Sequence, residues 1–487
     1  QIKEWQELGI VDENFKLDDI FTIDLLSRHL SEKYQHLPID TKYFKDLELE
    51  ILRQFEDLDK ALDGWLIKSE NYQALNTILP KFKEKVQTIY IDPPFNLDSS
   101  DQFLYRTNYK DANWATLLEN RLKLAKDWLN EKGSIFVRCD YNGNWIVRCL
   151  MDEILPTGNK REIILRKANS QGALGNFNPA NESLFFYQKD ESLYYFKPIF
   201  KTRNREIRWV NAVSPKENKD ANKIVINGKE YIAPKGNHWR FSQEKFNKLL
   251  SENRIRISPD TGLPQYLESE EVPLDTNWTD VQGYSFSHGF STENAEVILQ
   301  RVIDCSSEKN FIIFDFFLGS GTTTAVAHKL GRKWIGVEMG EHFYTIVLPR
   351  MKKVLAYDKS GISKEVKDYQ GGGFFKYYEL EQYEEALANC KYEDSDLFNS
   401  PSETPYQEYV FMKDEKMLEC MEIDYENNKV KVDLDKLYPN IDIAETLSNL
   451  TGKWIKKISD DEVEFEDGIK IDTKDLDYKL IKPLIWW

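Results

Sequence analysis

The chain has 487 residues, with 82 Asp and Glu against 65 Lys and Arg, and a formal net charge of −17. Hydrophobic residues at 41% and aromatics at 13% supply real cores, which excludes disorder as the whole story, and the length points to roughly three units. No apolar run reaches the roughly 18 residues of a spanning helix. The five cysteines, Cys139, Cys149, Cys305, Cys390 and Cys420, show no CxxC spacing. That argues against a disulfide framework or a structural zinc site and fits a reducing cytosol. The sequence opens Gln1-Ile2-Lys3-Glu4, with no secretory pattern, and is expected to lack its true N-terminus. The acidity argues against a nucleic-acid partner only if it is evenly spread. It is not: residues 155–260 hold 20 Lys and Arg against 11 Asp and Glu, a net +9, and residues 379–487 hold 13 against 28, a net −15.

In chain order, residues 10–60 are charged and mostly helical in pattern. Val86–Asp92 is a β-branched and aromatic strand ending in Pro93-Pro94. A helix follows, with Trp114, Leu117, Leu118, Arg121, Leu122, Ala125, Trp128 and Leu129 at 3–4 spacing, and Gly133 is its expected stop. Ser134–Cys139 is the next strand and Asn144–Leu155 the next helix. Residues 170–290 are less regular; Gly172, Gly175, Gly228, Gly236, Gly262 and Gly283 punctuate short strands such as Lys223–Ile226 and Arg254–Ile257, as in an inserted module of mixed structure. Phe311–Phe317 is a near-continuous apolar run, expected of a strand buried on both faces, and leads into a helix (Thr322–Leu330) and a strand (Trp334–Glu338). Two βαβ-like stretches predict a parallel sheet covered by helices. Gly371-Gly372-Gly373 interrupts regular structure, and Asn399–Pro405 is a linker by composition. The acidic tail carries strand-like runs at Lys429–Leu434 and Glu462–Phe465.

Two sites carry chemistry. Phe317-Leu318-Gly319-Ser320-Gly321-Thr322-Thr323 leaves the apolar strand and enters a helix, and Glu338 ends the next strand. Glycines let backbone approach a ligand, the helix N-terminus offers N–H groups, and the acid can accept from both hydroxyls of a ribose. A lone GxG would be explained by turn geometry alone; strand, glycines, helix, strand and acid in register favour a nucleoside site. No Lys follows as in an ATPase loop, and the third glycine of the dinucleotide fingerprint is missing, which favours a cofactor with a ribose and no pyrophosphate. Asp92-Pro93-Pro94-Phe95 ends the earlier strand, where open α/β sheets bind ligands. Two prolines remove two N–H donors. The Asp92 carboxylate and Pro93 carbonyl then stand as acceptors beside a flat ring, the requirement of an exocyclic amino group on a planar base. A rigid turn with a packed aromatic is the plainer explanation of this segment alone; its pairing with the ribose-type site favours chemistry. The six His show no metal spacing, so no metal site is expected.

The pair resembles the DPPY/F catalytic motif and FxGxG cofactor motif of amino-methylating DNA methyltransferases. Their order, catalytic motif first, insert next and cofactor motif last, is similar to the permuted beta group of adenine-N6 enzymes. Ile67-Lys68-Ser69-Glu70-Asn71 with Ala74-Leu75, Ser291-Thr292-Glu293-Asn294-Ala295-Glu296, Phe314–Thr323, Ala325–His328 and the closing Ile481–Trp487 resemble the modification (Mod) subunit of Type III restriction-modification systems. The chain departs from that pattern at Ser69-Glu70, where a glycine and Asp are common, at Glu293-Asn294, where Lys-Pro is common, and at Phe95, which replaces Tyr and keeps a stacking face. The resemblance implies a Rossmann-like α/β methyltransferase sheet of permuted motif order, with an inserted target-recognition module and a small α+β C-terminal domain. The implied boundaries are a helical N-terminal region at 1–60, a catalytic half at 61–165, a target-recognition insert at 166–288, a cofactor half at 289–378 and an acidic domain at 379–487. It implies S-adenosylmethionine as cofactor, contacted by Asn71, Asp92, Asn294, Asp315, Phe317, Gly319, Ser320, Gly321, Thr322, Thr323 and Glu338. Asp92, Pro93, Pro94 and Phe95 become the catalytic set, acting on adenine N6 of a flipped-out base.

Double-stranded DNA is then the expected partner, met by the basic middle of the chain through Arg161, Arg166, Lys167, Lys201, Arg203, Arg205, Arg208, Arg240, Arg254 and Arg256. Any one of these is more simply explained as a solvated charge. The resemblance also implies a homodimer and a separate restriction subunit that hydrolyses ATP; this sequence has no P-loop of its own. Cytosine-N4 methylation, a recognition subunit without catalysis, and an RNA or small-molecule methyltransferase are the alternatives. Asp92 in place of Ser leans toward adenine. A carbon-5 cytosine enzyme would need a nucleophilic Cys, and none of the five follows a Pro. The Leu484–Trp487 end suits a pinned tail at least as well as an interface.

Overall fold

The computed structural model describes residues 1–23, 27–96, 108–167, 177, 179–216, 218, 221–285, 292–382, 421–424, 429–437 and 441–476. Gly172, Gly175, Ser291, Cys390, Cys420, the 399–405 linker and the 481–487 end lie outside the described residues. Two compact units form, one of residues 1–197 with 276–487 and one of residues 198–275. No helix among the described residues is long and apolar enough to cross a membrane.

In the first unit nine strands make one sheet: β1 (Gly64–Lys68), β2 (Val86–Ile91), β3 (Leu129–Cys139), β4 (Lys160–Arg166), β5 (Asn181–Gln188), β6 (Asn277–Gln282), β7 (Ile312–Asp315), β8 (Lys333–Glu338) and β9 (Phe375–Glu379). Their order is β6-β4-β5-β3-β2-β7-β8-β1-β9. From β3 to β9 every pairing is parallel. β5 runs antiparallel to both β3 and β4, so the sheet is mixed and the all-parallel expectation fails there. Residues of β2 and β7 are buried throughout, which is why both segments are apolar runs without alternation.

Helices α1 (Asn71–Thr77), α2 (Asp111–Trp128), α3 (Asn144–Ile154), α4 (Glu296–Ser306), α5 (Thr322–Lys329) and α6 (Leu348–Leu355) accompany the sheet. α2 buries Trp114, Leu118, Leu122 and Ala125 along one face, the stripe its spacing predicts. It ends at Trp128, not at Gly133, because Leu129 already pairs with Val86 of β2 and Gly133 falls within β3. An aromatic cluster lies under the sheet: Trp128 stacks on Phe314 at 4.4 Å and on Phe82 at 5.8 Å. Gly64 is needed for this packing, since a Cβ there would come within 2.2 Å of the Trp334 ring.

The expected insert at 166–288 divides. β5 and β6 belong to the large sheet, and the compact second unit is the shorter Pro198–Asp275. It has its own core of Ala212, Ile224, Ile226, Ala233, Trp239 and Phe246. An Asn227-Gly228 turn, with both residues at positive φ, closes the hairpin of Lys223–Ile226 and Lys229–Ile232. The described end of the chain is not a separate domain either. Helix α7 (Ile443–Thr451) and the strands Ile455–Ile458, Glu462–Phe465 and Lys470–Asp472 share a core with Leu58 and fall in the first unit. Buried Lys81 bridges Asp59 at 2.9 Å and Glu445 at 3.0 Å, and Lys376 joins the same two acids. The expected helical N-terminus is helical only in short pieces, α-helical at 2–7, 48–52 and 58–61 and 3-10 at 17–20, 32–34, 41–43 and 45–47, with an antiparallel pair of Phe21–Ile23 and Arg28–Leu30 among them. Its charged sequence offers no long apolar stripe to dock a longer helix.

Candidate active site

β2, β7, β8 and β1 are consecutive parallel neighbours, so the segments leaving their carboxyl ends share one edge. The sequence places Asp92 after β2, the glycine turn after β7, Glu338 at the end of β8 and Asn71 just beyond β1. Chain order reverses between β2 and β7, where open α/β sheets bind their ligands.

Asp92 is half-buried. Burial pushes its carboxyl up to about 6; the Arg138 charge and a hydrogen bond from Asn294 pull the other way, while Glu182 and Asp140 add to the rise. Asn294 Nδ2 donates to Asp92 Oδ2 at 2.9 Å. Asn294 Oδ1 accepts from the Tyr90 hydroxyl at 3.1 Å and from Arg138. The resemblance made Asn294 a cofactor contact; here its amide donates to Asp92. Trp114 Nε1 donates to the Pro94 carbonyl at 2.8 Å, which fixes the loop. Phe95 is half-buried, and Asn96 donates to Asp111 at 2.7 Å. Next to this loop lies a cavity of about 460 Å³ lined by Asn96, Tyr109, Lys110, Asp111, Tyr141, Asn142 and Trp145. Tyr141 and Trp145 are each 56% exposed. The sequence analysis passed over both, although two large aromatics just past a strand's carboxyl end are a visible signal.

On the other side, Gly319 and Gly321 take positive φ values of 57° and 79°, which glycine alone adopts freely. Glu338 accepts from the N–H groups of Gly319 at 2.9 Å and Gly340 at 2.8 Å. The side chains of Ser320, Thr322 and Thr323 turn inward. Ser320 and Thr322 share a hydrogen bond at 3.0 Å, Arg350 donates to Thr322 at 2.9 Å, and Thr323 donates to Asp315 at 2.6 Å. At these three positions only the backbone is left for a ligand. Phe317 and Gly319 remain half-exposed. Burial pushes Asp315 up to about 7 against hydrogen bonds from Thr323 and the Phe317 N–H, and the Asp92 charge adds to the rise. Asn71 donates to the Phe316 carbonyl at 2.9 Å and accepts from Arg121, which also pairs with Glu70. Its amide therefore braces the glycine turn. Ser69-Glu70 still makes a working helix start, since Glu70 accepts from the Gln73 N–H at 3.0 Å.

The expected DNA residues fall in both units. In the first, Arg161 and Arg166 are exposed on β4 and Lys167 is half-buried just beyond it. In the second, Arg203 and Arg205 both reach buried Glu268, at 3.5 and 2.8 Å, and Lys201 lies 3.6 Å from Asp275. Arg254 is spent on the Leu267 carbonyl at 3.0 Å and on Glu252. Arg208, Arg240 and Arg256 are exposed, Arg256 lying 4.5 Å over the Trp209 ring and Arg240 bonding the Tyr266 hydroxyl. Residues 198–275 hold 14 Lys and Arg against 11 Asp and Glu, so this unit is only +3.

A family model described as DNA methylase matches residues 86–348. The chain is 28% identical over 429 residues to the probable type III restriction-modification enzyme HindVI Mod subunit of Haemophilus influenzae, covering 69% of this chain and 56% of that protein. It is 28% identical over 334 residues to the Type II methyltransferase M.EcaI of Enterobacter cloacae (61% and 71% covered). It is 22% identical over 366 residues to the type III restriction-modification enzyme StyLTI Mod subunit of Salmonella typhimurium (62% and 55%). The chain thus spans little more than half the length of those two Mod subunits. The family match begins at β2 and ends at the start of α6, taking in the Asp92 loop, the inserted unit and the glycine turn: the chain belongs to the DNA methylase family.

Proposed function

We propose that the chain is a DNA methyltransferase that modifies adenine N6 with S-adenosylmethionine as donor, and that it serves as the modification subunit of a Type III-like restriction-modification system. The observation that carries this reading is the Asp92 carboxylate, pinned through one oxygen, in the loop it shares with the Pro93 carbonyl and the Phe95 ring, one strand away from the glycine turn. Adenine N6 is a weak nucleophile because its lone pair is delocalised into the ring. Asp92 and the Pro93 carbonyl accept its two N–H bonds, draw the nitrogen toward tetrahedral geometry and turn the lone pair outward. Positioning and electrostatics supply the catalysis, without a covalent enzyme intermediate. N6 is unreachable inside a duplex, so the base is extruded and stacked on Phe95. The 460 Å³ cavity with Tyr141 and Trp145 offers aromatic surface to the extruded nucleotide beside that loop.

The residues fit the cofactor. Glu338 keeps acceptor capacity beyond its two backbone partners and the His342 ring 3.2 Å from Oε1, as a carboxylate with about four acceptor positions does, and so suits ribose hydroxyls. Backbone at Gly319–Gly321 and the half-exposed Phe317 would flank it, and the Asp92 carboxylate favours a cation. When bound, S-adenosylmethionine supplies an electrophilic methyl group on a positively charged sulfur.

DNA contact is assigned to Arg161, Arg166, Arg208, Arg240 and Arg256, whose side chains reach solvent. A restriction subunit and a second copy of this chain are the protein partners the Mod relatives suggest. Cytosine-N4 transfer remains the second reading, because an amino group on cytosine meets the same acceptors. Transfer of labelled methyl from S-adenosylmethionine to duplex DNA, followed by nucleoside analysis, separates the two. N6-methyladenine is expected; label in cytosine, or none in any DNA, refutes the reading.

A further inference from the structure

Arg138 is the most deeply buried cation near the site, at 0% exposure, and sequence analysis gave it no role. It lies near the carboxyl end of β3. Glu182 of β5 holds it through Nε at 2.9 Å and Nη2 at 2.5 Å, the Gly283 carbonyl accepts from Nη1 at 3.0 Å, and the Tyr284 ring lies 4.3 Å away. Tyr284 in turn donates its hydroxyl to Glu182 at 2.7 Å. With so many restraints the guanidinium has one orientation, and Nη1 also meets Asn294 Oδ1.

That contact decides which way the Asn294 amide faces. Arginine has no acceptor atom, so the atom it meets must be the amide oxygen. Tyr90 is fully buried and its phenol is pushed well above its ordinary range, so its hydroxyl is also a donor, to the same oxygen. The Asn294 NH2 group then has to point at Asp92 Oδ2. Among the described residues, the hydrogen bonds to Asp92 reach Oδ2 alone.

We propose that Arg138 and Asn294 are positioning residues for methyl transfer: Arg138 locks the Asn294 amide, the amide holds Asp92 by one oxygen, and Oδ1 is thereby kept free and correctly aimed for the amino group of the target base. This deepens, and rests on, the methyltransferase reading. The same relay keeps Asp92 ionised at neutral pH. The charged and titratable groups facing Asp92 are Arg138, Glu182, Asp140, Asp315, Tyr90, Tyr284 and Cys139. Arg138 is the cation among them, and it works with the Asn294 bond against burial and three carboxylates.

Removing Arg138 alone would strand Glu182 in the interior and risk unfolding. Asn294→Ala, at a half-buried position, is therefore the primary variant, and Arg138→Met with Glu182→Gln is the second. Two readouts are needed. In methyl transfer to duplex DNA, Asn294→Ala is expected to lower kcat about tenfold or more and to move the acid limb of the pH profile upward, with KM for the cofactor within about twofold of the parent. Arg138→Lys, which keeps the charge, should lose less than the double variant. Independently of activity, the 13C-carboxyl titration of selectively labelled Asp92 should have its midpoint near 6 in the parent and shift upward in Asn294→Ala, which keeps both the Arg138 and the Glu182 charge. An Asp92 midpoint that stays put in folded Asn294→Ala overturns the relay, as does an unchanged kcat and pH limb. A parent that titrates as expected but methylates no DNA would instead count against the methyltransferase reading.

Discussion

Gly143→Ala tests how rigidly the Asp92 loop is held. Gly143 precedes α3 with φ −115°, so alanine is conformationally allowed and the effect comes from packing alone. The added Cβ would lie 2.4, 2.7 and 3.2 Å from three atoms of the six-membered part of the Trp114 ring. Carbon–carbon contact is optimal at about 3.5–4.0 Å, so the ring must retreat by about 1 Å. Trp114 is fully buried, and its Nε1 donates to the Pro94 carbonyl at 2.8 Å. Overpacking costs about 1–3 kcal/mol, and the lost hydrogen bond about 1 kcal/mol. A shift of about 1 Å passed to the Pro93 carbonyl should slow methyl transfer by about 100-fold. Denaturant unfolding and single-turnover transfer measure the two effects. Adding Trp114→Phe removes the clashing part of the ring and the N–H together. The double variant should regain stability without regaining rate. A Gly143→Ala protein with parental stability and rate would refute the claim that Trp114 locks the loop.

Three further outcomes are expected. Glu338→Ala should weaken S-adenosylmethionine binding by about tenfold or more in calorimetry, and an unchanged affinity would contradict the ribose assignment. Glu445→Ala leaves Lys81 and Lys376 facing Asp59 alone. The cost should be about 3–5 kcal/mol in urea unfolding, with early hydrogen exchange in α7; a loss below about 1 kcal/mol would show that the cluster does not hold the chain's end. Arg256→Ala should weaken DNA binding and reduce the slope of log K against log salt by about one, without changing stability. Arg203→Ala should chiefly destabilise the Pro198–Asp275 unit, by leaving Glu268 with one cation; the opposite pattern would reverse the two assignments.

What was legible in the sequence was local. β2 and β7 are buried on both faces, and Lys223–Ile226 and Glu462–Phe465 alternate, so each appears as a pattern within a few residues. The glycine turn and the Asp92 loop were likewise legible, because special backbone and missing N–H groups are written in Gly and Pro. What escaped depends on partners distant in sequence. β5 looked like part of the insert, since only its pairing with β3 and β4 places it in the large sheet. Arg138 meets Glu182 44 positions away and Asn294 156 away, so its burial has no local mark. Lys81 and Glu445 are 364 apart, which is why the acidic tail looked like an independent domain. Arg203 and Arg205 stand in a basic cluster in the sequence, and the Glu268 they share comes 63 positions after Arg205.

Methyl transfer should depend on the Asp92 carboxylate, and Asp92→Ala separates that role from cofactor binding when transfer and binding are measured on the same protein. The expected result is loss of N6-methyladenine formation by about a thousandfold or more, with S-adenosylmethionine affinity largely intact. Transfer that survives the substitution, or an equal loss of cofactor binding, would contradict the account.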